Sequence, residues 1–263
     1  MEVYILVHKE IDYQWRITKY NPAYRNAEGY YLRDEWTSAS EIGKSFHGEI
    51  VTLDNYLQVE RAYVDTVMKF LEVYQIENVR LIHLETYGLC NVDKTSPLYA
   101  PSFDIIPLAE DMLVTIDQIP IVCKMALREY IYCQLITEDF FVQFGYDYYM
   151  FIGANDIQQE ALQFANEQCL FVEQMRSPYY LSENNVIREV TWNLLGDERK
   201  LIQGRETLRG ISLEELRTIF QLSSIHPVTG AFLITEDIAP YFQKKIKHLM
   251  DFTKYEYQLL AGD

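Results

Sequence analysis

A periodic run of apolar residues between positions 53 and 74 is the pattern that most limits how this chain can fold. Leucine, tyrosine and valine recur there at intervals of three and four residues, and charged residues take most of the other positions. This is the period of an α-helix with one buried face, and Thr52 is a suitable N-cap. The pattern predicts a helix of about six turns over residues 53–74. Such a helix needs a second apolar layer to cover it.

Short segments rich in β-branched and aromatic residues predict that second layer as a sheet. The predicted strands are 3–7, 13–20, 79–87, 130–137, 140–144, 147–152, 170–175, 185–192 and 255–259. Further helices are predicted at 120–127, 157–165, 212–220 and 237–250, the third of them opened by the capping box of Ser212 and Glu215. Strands and helices mix without strict alternation. The expected fold class is therefore α+β, a mixed sheet with packed helices.

A chain of 263 residues fits one large domain or two smaller ones. Ser177-Pro178 interrupts the pattern and marks the expected boundary. We expect an α+β domain over residues 1–176, with the long helix and the acidic, aromatic strands of residues 129–152. Residues 177–263 are expected to form a smaller α+β subdomain.

Negative charge is concentrated in the middle of the chain. The net charge is −16, and residues 101–175 contribute −10 of it, with 12 acids against only Lys124 and Arg128. The same segment holds 12 phenylalanines and tyrosines. Such a charge repels phosphate, so we expect neither a nucleic acid nor a membrane as partner. A basic protein is the expected partner.

The N-terminal segment and the cysteines indicate the compartment. Glu2 stands where a secretory signal would need a basic residue, and no apolar run is long enough to cross a bilayer. The four cysteines include no C-x-x-C pair. We expect a cytoplasmic protein with four reduced, mostly buried thiols.

Catalytic motifs are missing from the sequence. No phosphate-binding glycine motif occurs, and no two histidines have the spacing of a zinc site. Glu198-Arg199-Lys200 has the E-x-K spacing found in metal-dependent nucleases, but a solvent-exposed polar turn explains this short fragment better. We therefore expect a protein that is not an enzyme and that has no cofactor and no metal.

Several segments resemble one class of bacterial proteins. They are residues 34–43, 45–48, 144–150, 170–173 and 177–179, which read DEWTSASEIG, SFHG, FGYDYYM, LFVE and SPY. The chain resembles immunity proteins of polymorphic-toxin and contact-dependent inhibition systems over scattered parts of its first two-thirds. The resemblance implies a small, acidic, cytoplasmic protein that neutralises a cognate toxin without turnover.

An acidic, aromatic surface suits such a role. A nuclease toxin presents a basic cleft, and concentrated negative charge steers an inhibitor toward it. Aromatic anchors then slow dissociation. We expect the toxin to be contacted by Glu138, Asp139, Tyr146, Asp147 and Tyr148, with Asp34, Glu35 and Trp36 as a second patch.

Other interpretations of the same residues stay open. The aromatic residues of the 138–147 segment would fill the core if this segment were an ordinary hairpin. Acids near Glu198 would suit a metal-dependent hydrolase, and aromatic residues would also suit a structural subunit that associates with itself. A nucleic-acid mimic would need two rows of acids at duplex-like spacing.

Overall fold

The chain has the expected α+β fold. The computed structural model describes residues 10–197 and 199–262. It divides the chain into two compact units, residues 1–179 and 180–263, each with its own sheet and its own hydrophobic core. The sequence predicts the boundary three residues earlier. The predicted strand at residues 3–7 lies outside the described residues.

The first unit combines helices and strands along its whole length. Its helices are α1 (Leu53–Val73), α2 (Tyr87–Cys90), α3 (Ile119–Leu127) and α4 (Gln159–Glu167). Its strands are β1 (Tyr13–Thr18), β2 (Ser45–Phe46), β3 (Glu49–Ile50), β4 (Asn78–Glu85), β5 (Met112–Thr115), β6 (Tyr132–Ile136), β7 (Phe140–Phe144), β8 (Met150–Ala154) and β9 (Phe171–Gln174).

Seven of these strands form one sheet, in the order β5-β4-β6-β7-β8-β1-β9, and every neighbouring pair is antiparallel. Strands β2 and β3 form a separate hairpin. Because β8 and β9 are both antiparallel to β1, they are parallel to each other, with β1 between them. The segment β8–α4–β9 is thus a strand–helix–strand crossover whose two strands are not neighbours.

Helix α1 covers the sheet and packs against α3 and α4. It begins at the capping box that Thr52 forms with Asn55, and its buried face carries large residues such as Tyr63 and Phe70. The periodicity places Glu60 on another face, but this residue is only 2% exposed. Its carboxylate lies 2.6 Å from the guanidinium of Arg128, the residue that follows α3. This ion pair compensates the negative charge of Glu60 away from water.

The second unit is a four-stranded antiparallel sheet with two helices. Its elements are β10 (Ile187–Leu194), β11 (Ile202–Thr207), α5 (Leu213–Phe220), β12 (Gly230–Ile234), α6 (Ala239–Gln243) and β13 (Tyr255–Gly262), with strand order β11-β10-β13-β12. The capping box of α5 is confirmed. Strands β11 and β12 are absent from the sequence prediction.

The predicted helix over residues 237–250 is wrong beyond residue 243, because α6 ends there. The Gln243 side chain accepts a hydrogen bond from the amide of Met250 and donates one to the carbonyl of His248. These bonds satisfy backbone groups of a loop, so the chain turns while Ile246 still reaches the core.

Two further predictions concern membranes and thiols. Among the described residues, no helix is both long and apolar enough to cross a membrane. The four cysteines are free, with Cys123 and Cys133 buried but Cys90 and Cys169 exposed. The prediction of mostly buried thiols therefore holds for only two of the four.

A tyrosine hydroxyl links three parts of the first unit. Tyr63 of α1 accepts a hydrogen bond from the backbone amide of Lys19 at 2.7 Å and donates one to the carbonyl of Tyr148 at 2.6 Å. Tyr148 is itself buried, and its hydroxyl has no hydrogen-bond partner of normal geometry among the described residues. The two hydroxyls therefore contribute differently to stability.

We predict opposite results for the two tyrosine-to-phenylalanine substitutions. Tyr63→Phe leaves the partly buried amide of Lys19 and the buried carbonyl of Tyr148 without this partner, so it should lower the free energy of unfolding by about 1–3 kcal/mol. Tyr148→Phe removes a hydroxyl that makes no such bond and should change it by less than about 0.5 kcal/mol, or raise it. Urea unfolding of both variants measures the difference. Equal destabilisation would contradict this account.

Candidate binding site

The predicted contact residues lie at two ends of strand β7. Glu138 and Asp139 precede the strand, and Tyr146 and Asp147 follow it. All four are exposed. A five-residue strand spans about 17 Å, so the two pairs lie at opposite ends of β7 and are not neighbours. The structure instead places the Tyr146 end of β7 near the second predicted patch, where the Trp36 and Tyr148 rings lie 5.3 Å apart.

Tyr148 is not available as a surface contact, so its assignment to the contact face is wrong. Its side chain is 5% exposed and packs edge-on against Tyr56, Tyr63 and Trp36. Burial raises the pKa of its hydroxyl far above the ordinary value. The turn between β7 and β8 explains this, since Asp147 and Tyr148 both have positive φ, at 57° and 60°, and so direct successive side chains differently.

Glu35 and Trp36 are occupied within the chain. The Lys19 ammonium lies 3.5 Å from the Glu35 carboxylate and 4.2 Å from the centre of the Trp36 ring, and its side chain is only 7% exposed. Glu35 also accepts a hydrogen bond from the Tyr31 hydroxyl. Burial lowers the pKa of Lys19 to about 8, against the opposing effect of Glu35. Of the second patch, only Asp34 is exposed to solvent.

A pocket of about 510 Å³ opens beside Tyr146. Its charged and aromatic lining consists of Glu85, Tyr87, Glu129, Tyr132, Phe144, Tyr146 and Tyr179. We call this cavity the acidic pocket. Tyr87 and Tyr146 are unusually exposed for tyrosines, at 83% and 78%. The pocket therefore combines carboxylates with aromatic surface that is open to solvent.

A β-bulge places Glu85 in the pocket wall. The pairing of β4 with β6 shifts register between Ile82 and Glu85, which brings Glu85 opposite Tyr132. At the bulge His83 has a positive φ of 54°, and the amides of His83 and Leu84 both donate to the Glu110 carboxylate at 2.7 Å. Bulges of this kind redirect side chains.

Two other segments of the pocket wall also include a residue with positive φ, a backbone conformation that residues other than glycine rarely adopt. Glu129 follows Arg128, the C-cap of helix α3, and has a φ of 59°, at a position where glycine is the usual residue. The β7–β8 turn contributes Tyr146, directly before the positive-φ residue Asp147. Non-glycine residues in this conformation cost free energy and concentrate at functional sites.

Close backbone approach at two glycines closes the pocket. A Cβ atom on Gly88 of α2 would collide with the backbone carbonyl of Glu129, and one on Gly145 would lie 2.7 Å from the ring of Tyr179. The Tyr179 segment is held by Ser177, whose hydroxyl donates to the Gln143 side chain of β7. The walls are thus fixed by packing and hydrogen bonds.

The carboxylates of the pocket carry uncompensated charge. Neither Glu85 nor Glu129 forms an ion pair with a lysine or arginine of residues 10–197. Partial burial, with a smaller effect of the Asp147 charge, raises the pKa of Glu129. Two carboxylates without an ion-pair partner would attract a cation, and the lining of the pocket includes no histidine, cysteine or serine.

Nothing in the described part of the chain assembles a metal centre. Within it no group of three histidine, cysteine, aspartate or glutamate side chains is placed to hold a metal ion. Glu198, the carboxylate of the E-x-K fragment, lies outside the described residues. Asp197, next to it, accepts hydrogen bonds from the amides of Arg199 and Leu201.

Comparison with known proteins adds one finding on the second unit. Residues 196–260 match a family described as a domain of unknown function (DUF7683). The match includes α5 and α6 but begins after β10. No curated protein and no solved structure matches the chain.

The sequence identified Tyr146 but missed the rest of the pocket. Glu85, Tyr87, Glu129, Tyr132 and Tyr179 come from segments that are distant in the sequence, and no spacing connects them. The one available signal is Gly145-Tyr146, which predicts a turn.

The buried ammonium of Lys19 makes stability depend on pH. Its folded-state pKa of about 8 lies below the ordinary value of 10.5, so the unfolded chain binds more protons between these values. We therefore expect the stability of the wild type, relative to Lys19→Met, to rise by about 1–2 kcal/mol from pH 8 to pH 10. Urea unfolding at both pH values measures it. Lys44→Met, which removes the same charge at an exposed position, is the control variant.

The positive φ of Glu129 predicts a stabilising substitution. Glu129→Gly relieves the backbone and should raise the free energy of unfolding by about 0.5–1 kcal/mol relative to Glu129→Ala. Both variants lack the carboxylate, so their difference in chemical denaturation isolates the backbone effect. An alanine variant as stable as the glycine variant would contradict the assignment.

Proposed function

We propose that the protein is an immunity protein that binds and neutralises a cognate toxin, most simply a nuclease effector with a basic cleft. It acts stoichiometrically, by covering the active site of the toxin or a neighbouring exosite. The observation that carries this proposal is the acidic pocket, where carboxylates without an ion-pair partner among residues 10–197 lie beside exposed tyrosines.

The chemistry of this surface suits protein binding better than catalysis. Tyrosine is enriched in the centres of interfaces because it offers a large area with few rotatable bonds. Tyr87 and Tyr146 supply such area at the mouth of the pocket. Unpaired carboxylates add long-range attraction to a basic partner and accelerate association.

We place the proposed contact face at one end of the sheet. Tyr146 and Asp147 stay in it, together with Glu85 and Glu129, and Asp34 stays in the second patch. Glu138 and Asp139 lie at the other end of β7, where the Asn155 amide donates to Asp139. They provide a matched comparison, because neutralising either pair of acids changes the net charge equally.

We expect deletion of the gene to sensitise cells to the toxin encoded beside it. The wild-type gene should restore survival in competition with the parent strain, and so should Glu138→Gln/Asp139→Asn. Glu129→Gln/Asp147→Asn should bind the purified toxin about tenfold or more weakly and show a flatter dependence of affinity on salt. Calorimetric titration at two salt concentrations measures both effects.

Two results would decide against parts of the proposal. If deletion leaves survival unchanged, the immunity function is wrong. If Glu138→Gln/Asp139→Asn and Glu129→Gln/Asp147→Asn weaken the complex equally, the contact face does not lie at the acidic pocket. The loss of affinity would then depend on net charge alone.

A further inference from the structure

The first unit repeatedly places a cation between an aromatic ring and a carboxylate. Lys19 lies on Tyr20 and Trp36 beside Glu35, Lys94 on Tyr99 beside Asp104, and Arg128 on Phe103 beside Glu60. In each case the ring attracts the cation electrostatically and the carboxylate pairs with it.

The acidic pocket also combines carboxylates with aromatic rings, but no lysine or arginine of residues 10–197 lies between them. Glu85 and Glu129 supply two carboxylates, and four tyrosines supply the rings. An anion would be repelled by both glutamates. A purely apolar ligand would remove the carboxylates from water without pairing them, which is costly. The chemistry therefore selects a cation with a flat, polarisable surface.

We propose that the acidic pocket receives the guanidinium group of an arginine side chain from the basic protein partner. The proposal rests on the proposed immunity function and specifies how that partner is recognised. A guanidinium is planar, donates in a fixed fork to carboxylates and stacks on aromatic rings, which an ammonium does less well. The volume of about 510 Å³ lies within the usual range of small-molecule sites, so the pocket is large enough to admit a guanidinium.

Rigid walls favour this role. Gly88 and Gly145 hold the surrounding backbone in close contact, and Ser177 ties the Tyr179 segment to β7. A site whose walls are already in place loses little conformational entropy when the guest enters. A single arginine can then act as an anchor for a larger interface.

The test uses the full chain and N-acetyl-arginine amide as the probe, followed by NMR of the backbone amides. We expect saturable shifts at Gly88, Gly145 and Tyr146, with a Kd in the range of about 1–10 mM. N-acetyl-lysine amide should bind several-fold more weakly, and N-acetyl-glutamine amide should not bind. Glu85→Gln/Glu129→Gln should weaken arginine binding at least tenfold, while Glu138→Gln/Asp139→Asn should leave it unchanged.

Several outcomes would overturn the inference. The first is the absence of saturable shifts up to a probe concentration of about 50 mM, because a Kd near that limit is too weak for an anchor. The second is equal binding of the lysine and arginine probes. The third is unchanged arginine binding in Glu85→Gln/Glu129→Gln. If that variant loses the probe but still protects cells, the pocket is not the recognition site and the immunity function stands. If the probe binds but deletion of the gene never sensitises cells, the immunity function falls and the pocket retains its cation chemistry.

Discussion

The paired hydrogen bonds of the Tyr63 hydroxyl are the contact on which the first unit depends. They connect the middle of α1 to the residue after β1 and to the turn after β7, two segments that the pairing of β1 with β8 also brings close together. Because the carbonyl that Tyr63 holds belongs to Tyr148, the turn is fixed with the Tyr148 ring inside. Tyr146 and Asp147 are then left outside, beside the acidic pocket. One buried hydroxyl thus determines which residues of the turn can meet a partner.

The same unit handles charge in two ways. Buried or half-buried cations such as Lys19 and Arg128 pair with carboxylates of the chain itself, because an unpaired charge away from water is costly. The glutamates of the acidic pocket are exposed to solvent, and neither forms an ion pair with a lysine or arginine of residues 10–197. Part of the net negative charge is therefore located at the acidic pocket, where no cation of residues 10–197 pairs with it. The proposed basic partner would be attracted by the net charge of the whole chain, but it would meet unpaired carboxylates and exposed rings together at the acidic pocket.

The periodicity of the sequence predicted those structural elements that depend on residues close together in the chain. The limits of α1, the capping box of α5 and the strands β6 and β7 follow from spacing alone. Residues whose environment depends on a distant partner escaped prediction. Glu60 is buried because Arg128 meets it, and Tyr148 turns inward because Tyr63 and Trp36 receive it. The pocket belongs to this second kind, since a bulge, a helix end and a turn from separate segments build it.

Glu129 is the residue of the acidic pocket whose own backbone conformation costs free energy. Its positive φ is one that glycine would adopt at lower cost, and His83 and Asp147 share it outside the pocket lining. Gln75, Cys169 and Gln221 hold the same conformation after α1, α4 and α5, so what distinguishes Glu129 is the carboxylate at this position. Keeping a carboxylate there sacrifices stability, raises the pKa of that group and exposes it to Asp147. In the proposed complex, the guanidinium of the partner would reverse the electrostatic part of this cost, so the unfavourable arrangement of the free protein would become a source of affinity.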